Sequence, residues 1–276
     1  MHVRVGHSPD PDDAFMVWAI AERALDLRGF EIELVPADIQ TLNTWAAEGR
    51  LEATAMSVGA YPGVQDTYRL LGHGASLGEG YGPVVIAKSD LAPADLAGQR
   101  VAVPGPQTTA FLTARLALPA FEPVQLDFER IMEAVASGEV AAGVVIHEGQ
   151  LTWEQEGFKR VLDLGAWWEG ETGGMPLPLG AVAMRRDVPE DRAADLSAVL
   201  KEAVAVGMEH REEALAYAIE YGRGIAPDLN DRFVAMYVND LTLDYGERGR
   251  QAVAALLERG AEAGLLPSPV QLDFLG

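Results

Sequence analysis

The chain has 276 residues, of which 49% are hydrophobic and 23% are charged, an ordinary globular composition. Its 42 acidic and 21 basic side chains leave a formal net charge of −21, which argues against nucleic acids and anionic membrane surfaces as partners. The absence of cysteine excludes disulfides, thiol catalysis and cysteine-based metal sites.

The length of the chain favours two domains over a single core. No apolar run reaches the roughly 18 residues that a membrane span needs. The first residues, Met1–Val5, enter a predicted strand directly, without the basic and apolar regions of a signal peptide. We therefore expect a cytoplasmic protein that does not insert into membranes.

Strand-like and helical segments alternate over the first two-thirds of the chain, a pattern typical of α/β folds with mostly parallel sheets. Strands are predicted near 3–7, 31–36, 53–57, 83–88, 101–103, 142–146, 160–164 and 179–185. Helices are predicted near 13–27, 39–48, 107–118, 128–137 and 149–156. From Pro189 onward the periodicity is nearly all helical, with segments 190–208, 211–222, 229–239 and 246–264.

The domain organisation follows from what the sequence lacks. Neither an internal repeat nor a low-complexity linker divides the chain, so a second domain is expected as an insertion. The extended segments 82–88 and 179–185 would be the two connections by which the chain enters and leaves the inserted domain. This predicts domain I at 1–88 plus 186–276, domain II at 89–185, and a ligand cleft between two lobes joined by a two-strand hinge.

The turn between the first strand and the first helix carries a cluster of polar side chains, Ser8, Asp10, Asp12 and Asp13. Ligands of open α/β sheets bind outside the carboxyl ends of the strands, where this turn lies. Ser8, Asp12 and Asp13 are therefore candidates for ligand contact. The same residue types are also ordinary helix caps, and that alternative stays open.

Other strand ends carry small polar side chains as well. Thr108 and Thr109 begin a predicted helix, where their hydroxyls and the free amides suit an anion such as a carboxylate. One of the two is expected to serve only as the helix cap. Ser57 ends another predicted strand, and Asn43 lies on the polar side of a helix that Asp38 caps.

His147 follows the buried run 144–146 and is placed at the carboxyl end of a strand, facing the predicted cleft. An imidazole with a reference pKa of about 6.5 suits proton abstraction near neutral pH. The alternative is a histidine that only caps or packs.

Motifs for nucleotide or metal chemistry are absent from the sequence. The glycine-rich segment 72–82 leads into a strand and matches no phosphate-binding loop. It is therefore either a flexible loop where the chain passes between the domains or a place where the backbone lies close to a ligand. Zinc-binding and hydrolase motifs do not occur. Zinc and a hydrolase triad therefore lack support from the sequence, and a small anionic ligand is not excluded.

Taken in order, the motifs resemble one family, the 1,4-dihydroxy-6-naphthoate synthases of the futalosine route to menaquinone. The similarity runs over nearly the whole chain, and its specificity lies in the order and spacing. The motifs are Ser8-Pro9-x-Pro11-x-Asp13-x-Phe15, Asp38-x-x-Thr41-Leu42-Asn43-x-Trp45, Glu48-Gly49-Arg50, Ser57-x-x-Ala60-Tyr61, Leu77-Gly78-x-Gly80-x-Gly82-Pro83, Val101-Ala102-Val103-Pro104-Gly105-x-x-Thr108-Thr109-Ala110, Ile146-His147-Glu148, Asp163-Leu164-Gly165-Ala166-Trp167-Trp168, Pro176-Leu177-Pro178-Leu179-Gly180 and Tyr237-Val238-Asn239.

The resemblance implies a two-lobed α/β fold like that of type II periplasmic binding proteins. It also implies a lyase that acts on cyclic dehypoxanthine futalosine, an aromatic carboxylate, and removes the sugar-derived part by carbon–carbon cleavage. No cofactor is implied, because formation of the aromatic product drives the step. By resemblance His147 is the catalytic base, and the substrate-binding positions are Ser8, Asp12, Asp13, Asn43, Ser57, Thr108 and Thr109.

The chain departs from the common family form at four positions, of which Asp12 is one of the substrate-binding positions. Cysteine, asparagine and threonine are common where this chain has Asp10, Asp12 and Ala14, and a lysine is often found where it has Ala55. The departures add negative charge beside the expected pocket.

Two other functions remain open from the sequence. The same fold serves solute-binding proteins, so the chain could bind a small aromatic carboxylate without changing it. A related enzyme of the same pathway, chorismate dehydratase, also needs a carboxylate clamp. The sequence leaves the oligomeric state undetermined.

Overall fold

The structure is a computed structural model that describes residues 1–222, 224 and 226–275. Its strands form one sheet of seven strands and one of five. In chain order they are β1 (His2–His7), β2 (Glu31–Pro36), β3 (Ala53–Ser57), β4 (Tyr68–Leu71), β5 (Ser76–Gly78), β6 (Val84–Ala87), β7 (Arg100–Val103), β8 (Glu122–Gln125), β9 (Ala142–Val145), β10 (Lys159–Asp163), β11 (Leu177–Arg185) and β12 (Phe274–Leu275).

The first sheet has the order β12-β4-β11-β3-β1-β2, and β5 pairs with β11. Strand β1 runs parallel to both of its neighbours, with Val5 opposite Leu34 and Ala53. The second sheet has the order β10-β6-β9-β7-β8, in which β7 runs parallel to β8 and β9. Parallel pairing places the ends of β1, β3 and β7 at cleft-facing edges, where the following turns emerge.

The helices cover the sheets and dominate the last third of the chain. They are α1 (Pro11–Ala21), α2 (Ile39–Ala47), α3 (Thr109–Ala117), α4 (Ile131–Ser137), α5 (Gly149–Thr152), α6 (Leu164–Thr172), α7 (Glu190–Glu209), α8 (Arg211–Ala218), α9 (Pro227–Tyr237), α10 (Asp240–Leu243) and α11 (Gly246–Glu262). Short 3-10 turns lie at Val58–Gly63, Pro93–Leu96, Phe128–Arg130 and Ile219–Tyr221. Within the described part of the chain, none of these helices is long and apolar enough to cross a membrane.

All eight predicted strands are present, and four further strands, β4, β5, β8 and β12, were not predicted. Strand β8 carries a proline and mostly exposed residues at a sheet edge, so no alternation marks it. Helix α1 is shorter than predicted, because the chain turns at Arg23, whose φ is +54°. Helix α6 was not predicted either; the Asp163 carboxylate caps it through the amides of Gly165 and Ala166.

The strand pairing corrects the predicted domain boundaries. Strand β6 lies in the second sheet, although the predicted domain I included it, and β11 lies in the first sheet, although domain II included it. The two strands also do not pair with each other. The error arose because a buried strand has the same composition in either sheet. We propose instead a division by sheet, with lobe I formed by 1–82 plus 177–275 and lobe II by 83–176.

The buried hydrophobic residues form separate clusters, one of which spans the two lobes. One buried cluster packs α1 and α7 against β1, with Phe15 and Val3 fully buried. A second cluster joins Met56 and Ala181 of the first sheet to Val103 of the second. Burial of apolar surface between the lobes therefore stabilises the arrangement that encloses the site.

Candidate active site

A cavity of about 110 Å³ lies where turns from both lobes meet. The turns that follow β1, β3 and β7 supply most of its polar lining. Six of the predicted site residues line it: Ser8, Asp12, Asp13, Ser57, Thr108 and Thr109. The two others, Asn43 and His147, do not.

The turn between β1 and α1 is organised around Ser8. Its backbone N–H donates to Asp13 Oδ2 at 2.6 Å, and its hydroxyl donates to Asp10 Oδ2 at 2.6 Å. Asp10 occupies the helix-cap position, yet its side chain makes no capping hydrogen bond. The alternative of simple capping therefore fails for Asp10, and the turn instead holds carboxyl groups against the cavity.

Two of these carboxyl groups have shifted pKa values. Burial raises the pKa of Asp13 to about 7, against the effect of the hydrogen bond from the Ser8 amide. Burial, reinforced by the charges of Asp13 and Asp10, raises the pKa of Asp12 well above its ordinary value. Asp12 is 8% exposed, and its Oδ2 accepts a long 3.4 Å hydrogen bond from the Ser76 hydroxyl. The cavity thus holds carboxyl groups that can carry protons near neutral pH.

Asn43 supports the site from behind the cavity wall. Its Nδ2 donates to Ser57 Oγ at 3.0 Å, and its Oδ1 accepts from the Ser57 amide at 2.8 Å. The Asn43 side chain is fully buried on α2. The predicted contact of Asn43 with the pocket is therefore indirect, because the residue orients Ser57 instead of lining the cavity.

Thr108 and Thr109 begin α3 and have different roles. Thr108 is the helix cap, because its Oγ1 accepts from the Phe111 amide at 3.2 Å, which agrees with the expectation that one of the two is a cap. Thr109 Oγ1 donates to the Leu179 carbonyl at 2.7 Å and accepts from the Gly59 amide at 3.0 Å. Because Gly59 and Leu179 belong to lobe I, Thr109 ties the start of α3 to the other lobe.

The start of α3 is also the strongest anion-binding feature of the cavity. The first N–H groups of a helix have no partner inside the helix and carry a partial positive charge. Thr109 and Ala110 both line the cavity at this point. A carboxylate bound there would receive backbone hydrogen bonds without any basic side chain.

His147 lies beside the main cavity, but its ring faces a second cavity. The preceding residue, Ile146, lines the main cavity, whereas His147 lines a second cavity together with Met132 and Phe158. The Gly149 amide donates to His147 Nδ1 at 3.0 Å, so the neutral imidazole carries its proton on Nε2. The expectation that the ring faces the main cleft is not met in this arrangement.

The residues that line the cavity without having been predicted as site residues include Ser76, Phe233 and Tyr237. Phe233 and Tyr237 lie one turn apart on α9 with their rings 5.3 Å apart, and the Tyr237 hydroxyl donates to Gln150 Oε1 at 2.8 Å. Burial raises the pKa of Tyr237, and the Asp12 charge adds to the effect. The aromatic pair four residues apart on one helix was the signal available in the sequence.

Comparisons with known proteins identify the family of this chain. Residues 3–262 match the model of a family described as menaquinone biosynthesis. The chain belongs to the menaquinone biosynthesis family. The resemblance drawn from the motifs is thereby confirmed, and the chain is an enzyme of that pathway. A curated relative, the 1,4-dihydroxy-6-naphtoate synthase of Thermus thermophilus, is 42% identical over 268 residues, 97% of either chain.

Solved structures confirm the fold that was predicted for this menaquinone biosynthesis protein. A crystal structure of an Archaeoglobus fulgidus protein superposes with a TM-score of 0.92 at 44% identity and covers 96% of this chain and 98% of its own. The alkanesulfonate-binding protein of Xanthomonas axonopodis superposes with a TM-score of 0.73 at 17% identity, covering 97% and 94%. The family member therefore has a two-lobed fold like that of periplasmic binding proteins.

Proposed function

We propose that the protein is a carbon–carbon lyase that converts cyclic dehypoxanthine futalosine to 1,4-dihydroxy-6-naphthoate. The observation that carries this proposal is the cavity between the lobes, where a helix start, hydroxyl groups and protonatable carboxyl groups meet within a member of the menaquinone biosynthesis family. The naming of the Thermus thermophilus relative supports the same reaction. A cytoplasmic location and the absence of a cofactor stay predictions.

The substrate carboxylate binds at the start of α3 in this proposal. The amides of Thr109 and Ala110 provide donors, and Thr108 and Ser57 add hydroxyl groups to the same wall. The net charge of −21 opposes an anionic ligand at long range, but the raised pKa values of Asp12 and Asp13 lower the negative charge inside the cavity near neutral pH. Local neutralisation therefore allows an acidic protein to hold an acidic substrate.

His147 is proposed as the base that removes a proton from a sugar-derived hydroxyl. Carbon–carbon cleavage follows, and the aromatic product makes the step favourable. The position of His147 directly after Ile146, which lines the cavity, supports this role. Since the ring lines the second cavity, the reaction requires it to turn toward the first, with loss of the hydrogen bond from the Gly149 amide.

The deciding experiment is a mass-spectrometric assay of the purified protein with cyclic dehypoxanthine futalosine, beside the His147→Ala variant. We expect naphthoate from the wild type and none from the variant. Product from both proteins would keep the lyase assignment and remove His147 as the essential base.

The same purified protein also distinguishes the lyase from the two alternatives, a solute-binding protein and a chorismate dehydratase. No product from the wild type, combined with saturable binding of an aromatic acid, would identify a solute-binding protein. Dehydration of chorismate by the wild type would identify the related dehydratase. Either result would overturn the proposed reaction.

A further inference from the structure

Tyr237 links the helical last third of the chain to the turn that carries His147. Its hydroxyl, on α9 of lobe I, donates to Gln150 Oε1 of lobe II at 2.8 Å. Tyr237 is 3% exposed and Gln150 is 7% exposed, so this hydrogen bond is shielded from water. Tyr237 also lines the main cavity. One side chain therefore joins the wall of the ligand cavity to the lobe that holds the proposed base.

The Gln150 end of this contact belongs to a tightly bonded turn. The Gln150 backbone N–H donates to the His147 carbonyl at 2.8 Å, and the Gly149 N–H donates to His147 Nδ1 at 3.0 Å. The preceding residue, Ile146, lines the main cavity. Gln150 thus contacts His147 through its backbone and lobe I through its side chain. The turn and α9 cannot shift relative to each other without breaking the hydrogen bond to Tyr237.

The Tyr237 end is held by two aromatic neighbours. The centroid of its ring lies 5.3 Å from that of Phe233 and 5.8 Å from that of Tyr81, both with edge-to-face geometry. The Tyr81 hydroxyl in turn donates to the carbonyl of Met236, the residue before Tyr237. Because packing on both sides restricts the rotamers of Tyr237, its hydroxyl has a fixed direction.

Resting on the proposed lyase function, we propose that Tyr237 is a positioning residue whose hydrogen bond to Gln150 sets the distance between His147 and the bound substrate. The imidazole turns toward the main cavity from a backbone whose place is held by this contact. A misplacement of about 1 Å can cost roughly 100-fold in rate, so one hydrogen bond between the lobes can control turnover. Tyr237 itself transfers no proton in this role.

The test is a double-mutant cycle in steady-state kinetics with cyclic dehypoxanthine futalosine. Tyr237→Phe removes only the hydroxyl and keeps the ring contacts, and Gln150→Met removes the acceptor from a side chain of similar length. Each single variant should lower kcat by roughly tenfold or more, while KM changes by less than about threefold. The double variant should lose no more than either single variant, because both changes remove the same contact.

Tyr68→Phe is the matched control for the loss of a buried tyrosine hydroxyl. The Tyr68 hydroxyl donates to the Leu51 carbonyl at 2.7 Å, and both residues belong to lobe I. This variant should keep the wild-type kcat and KM. An equal fall of kcat in Tyr68→Phe would assign the effect to a general loss of stability and overturn the proposal.

The kinetics of the cycle can also contradict the positioning role. Unchanged kcat in Tyr237→Phe would show that the contact does not position His147. A lower kcat in Tyr237→Phe with wild-type kinetics in Gln150→Met would show that the hydroxyl acts on the substrate directly. Losses that multiply in the double variant would assign independent roles to the two side chains. In each of these cases the wild type still forms naphthoate, whereas a wild type that forms none contradicts the proposed function and this inference with it.

Discussion

Gln40 and Gln107 join the two lobes by a reciprocal pair of hydrogen bonds. Gln40 Nε2 donates to Gln107 Oε1 at 2.6 Å, and Gln40 Oε1 accepts from the backbone N–H of Gln107 at 3.1 Å. A Cβ on Gly105 would lie 2.1 Å from Gln40 Oε1, and the Gly105 φ of +155° lies at the edge of the region that side chains rarely adopt. The contact links α2 to the turn that begins α3, so it holds the anion-binding helix start against the opposite lobe.

Removal of this contact should weaken substrate binding. Two hydrogen bonds, each contributing about 1 kcal/mol, correspond to a rise in KM of up to roughly 30-fold for Gln40→Ala, with kcat less affected. Steady-state kinetics with the proposed substrate measures both constants. Ala47→Ser, which alters an exposed position at the end of the same helix, should change neither constant by more than about twofold. Equal KM values for Gln40→Ala and wild type would show that the contact between Gln40 and Gln107 does not affect substrate binding.

The support that Asn43 gives to Ser57 predicts a stability effect. Asn43→Ala removes the partner of two Ser57 groups in a fully buried setting. Because unsatisfied buried groups are costly, the free energy of unfolding should fall by about 1–3 kcal/mol. Urea denaturation with an unchanged m-value measures this loss, and Thr44→Ala on the same helix is the control. A loss below about 0.5 kcal/mol would mean that water replaces the amide.

The raised pKa of Asp13 predicts how stability depends on pH. An unfolded aspartate ionises near pH 4, roughly, whereas folded Asp13 ionises near a pKa of about 7. Between these values the folded state binds the extra proton, so the contribution of Asp13 to the free energy of unfolding falls as pH rises. The full contribution is present below the unfolded pKa and is lost above about pH 7.

Asp13→Asn should remove that dependence. At about pH 8 we expect this variant to exceed the wild type in stability by about 1–3 kcal/mol, and at about pH 4.5 the gain should disappear. Chemical denaturation at the two pH values checks the prediction, with Asp66→Asn at an exposed site as the control. A gain that is the same at both pH values would contradict the assigned cause.

The close contact between Gly149 and His147 predicts that a larger side chain at position 149 displaces the His147 ring. A Cβ on Gly149 would lie 2.6 Å from the imidazole Cε1 and 2.8 Å from Met132 Sδ, both too close. Gly149→Ala should therefore displace the His147 ring and reduce kcat by roughly tenfold or more. Kinetics beside His147→Ala provides the measurement. An unchanged kcat would show that the position of the ring in the second cavity does not matter for turnover.

Much of the candidate site could be predicted because strand ends are visible in the sequence. Ser8, Ser57 and Thr108 follow segments whose composition indicates strands, and parallel pairing brings the ends of such strands together. For Phe233 and Tyr237 the spacing of four residues indicated that they lie side by side on one helix, but not that this helix reaches the cavity. Their contribution depends on how α9 packs against α1 and β5 within lobe I.

The amino-acid sequence by itself determined the alternation of strands and helices, the polar turns and the family motifs, because these depend on neighbours along the chain. Only the tertiary structure decided which sheet holds β6 and β11 and that Asn43 supports Ser57 from behind. It alone decided that His147 faces the second cavity and that burial, with the charges of Asp13 and Asp10, raises the pKa of Asp12. The reason is physical: strand partners, side-chain direction and desolvation depend on residues that are distant in sequence.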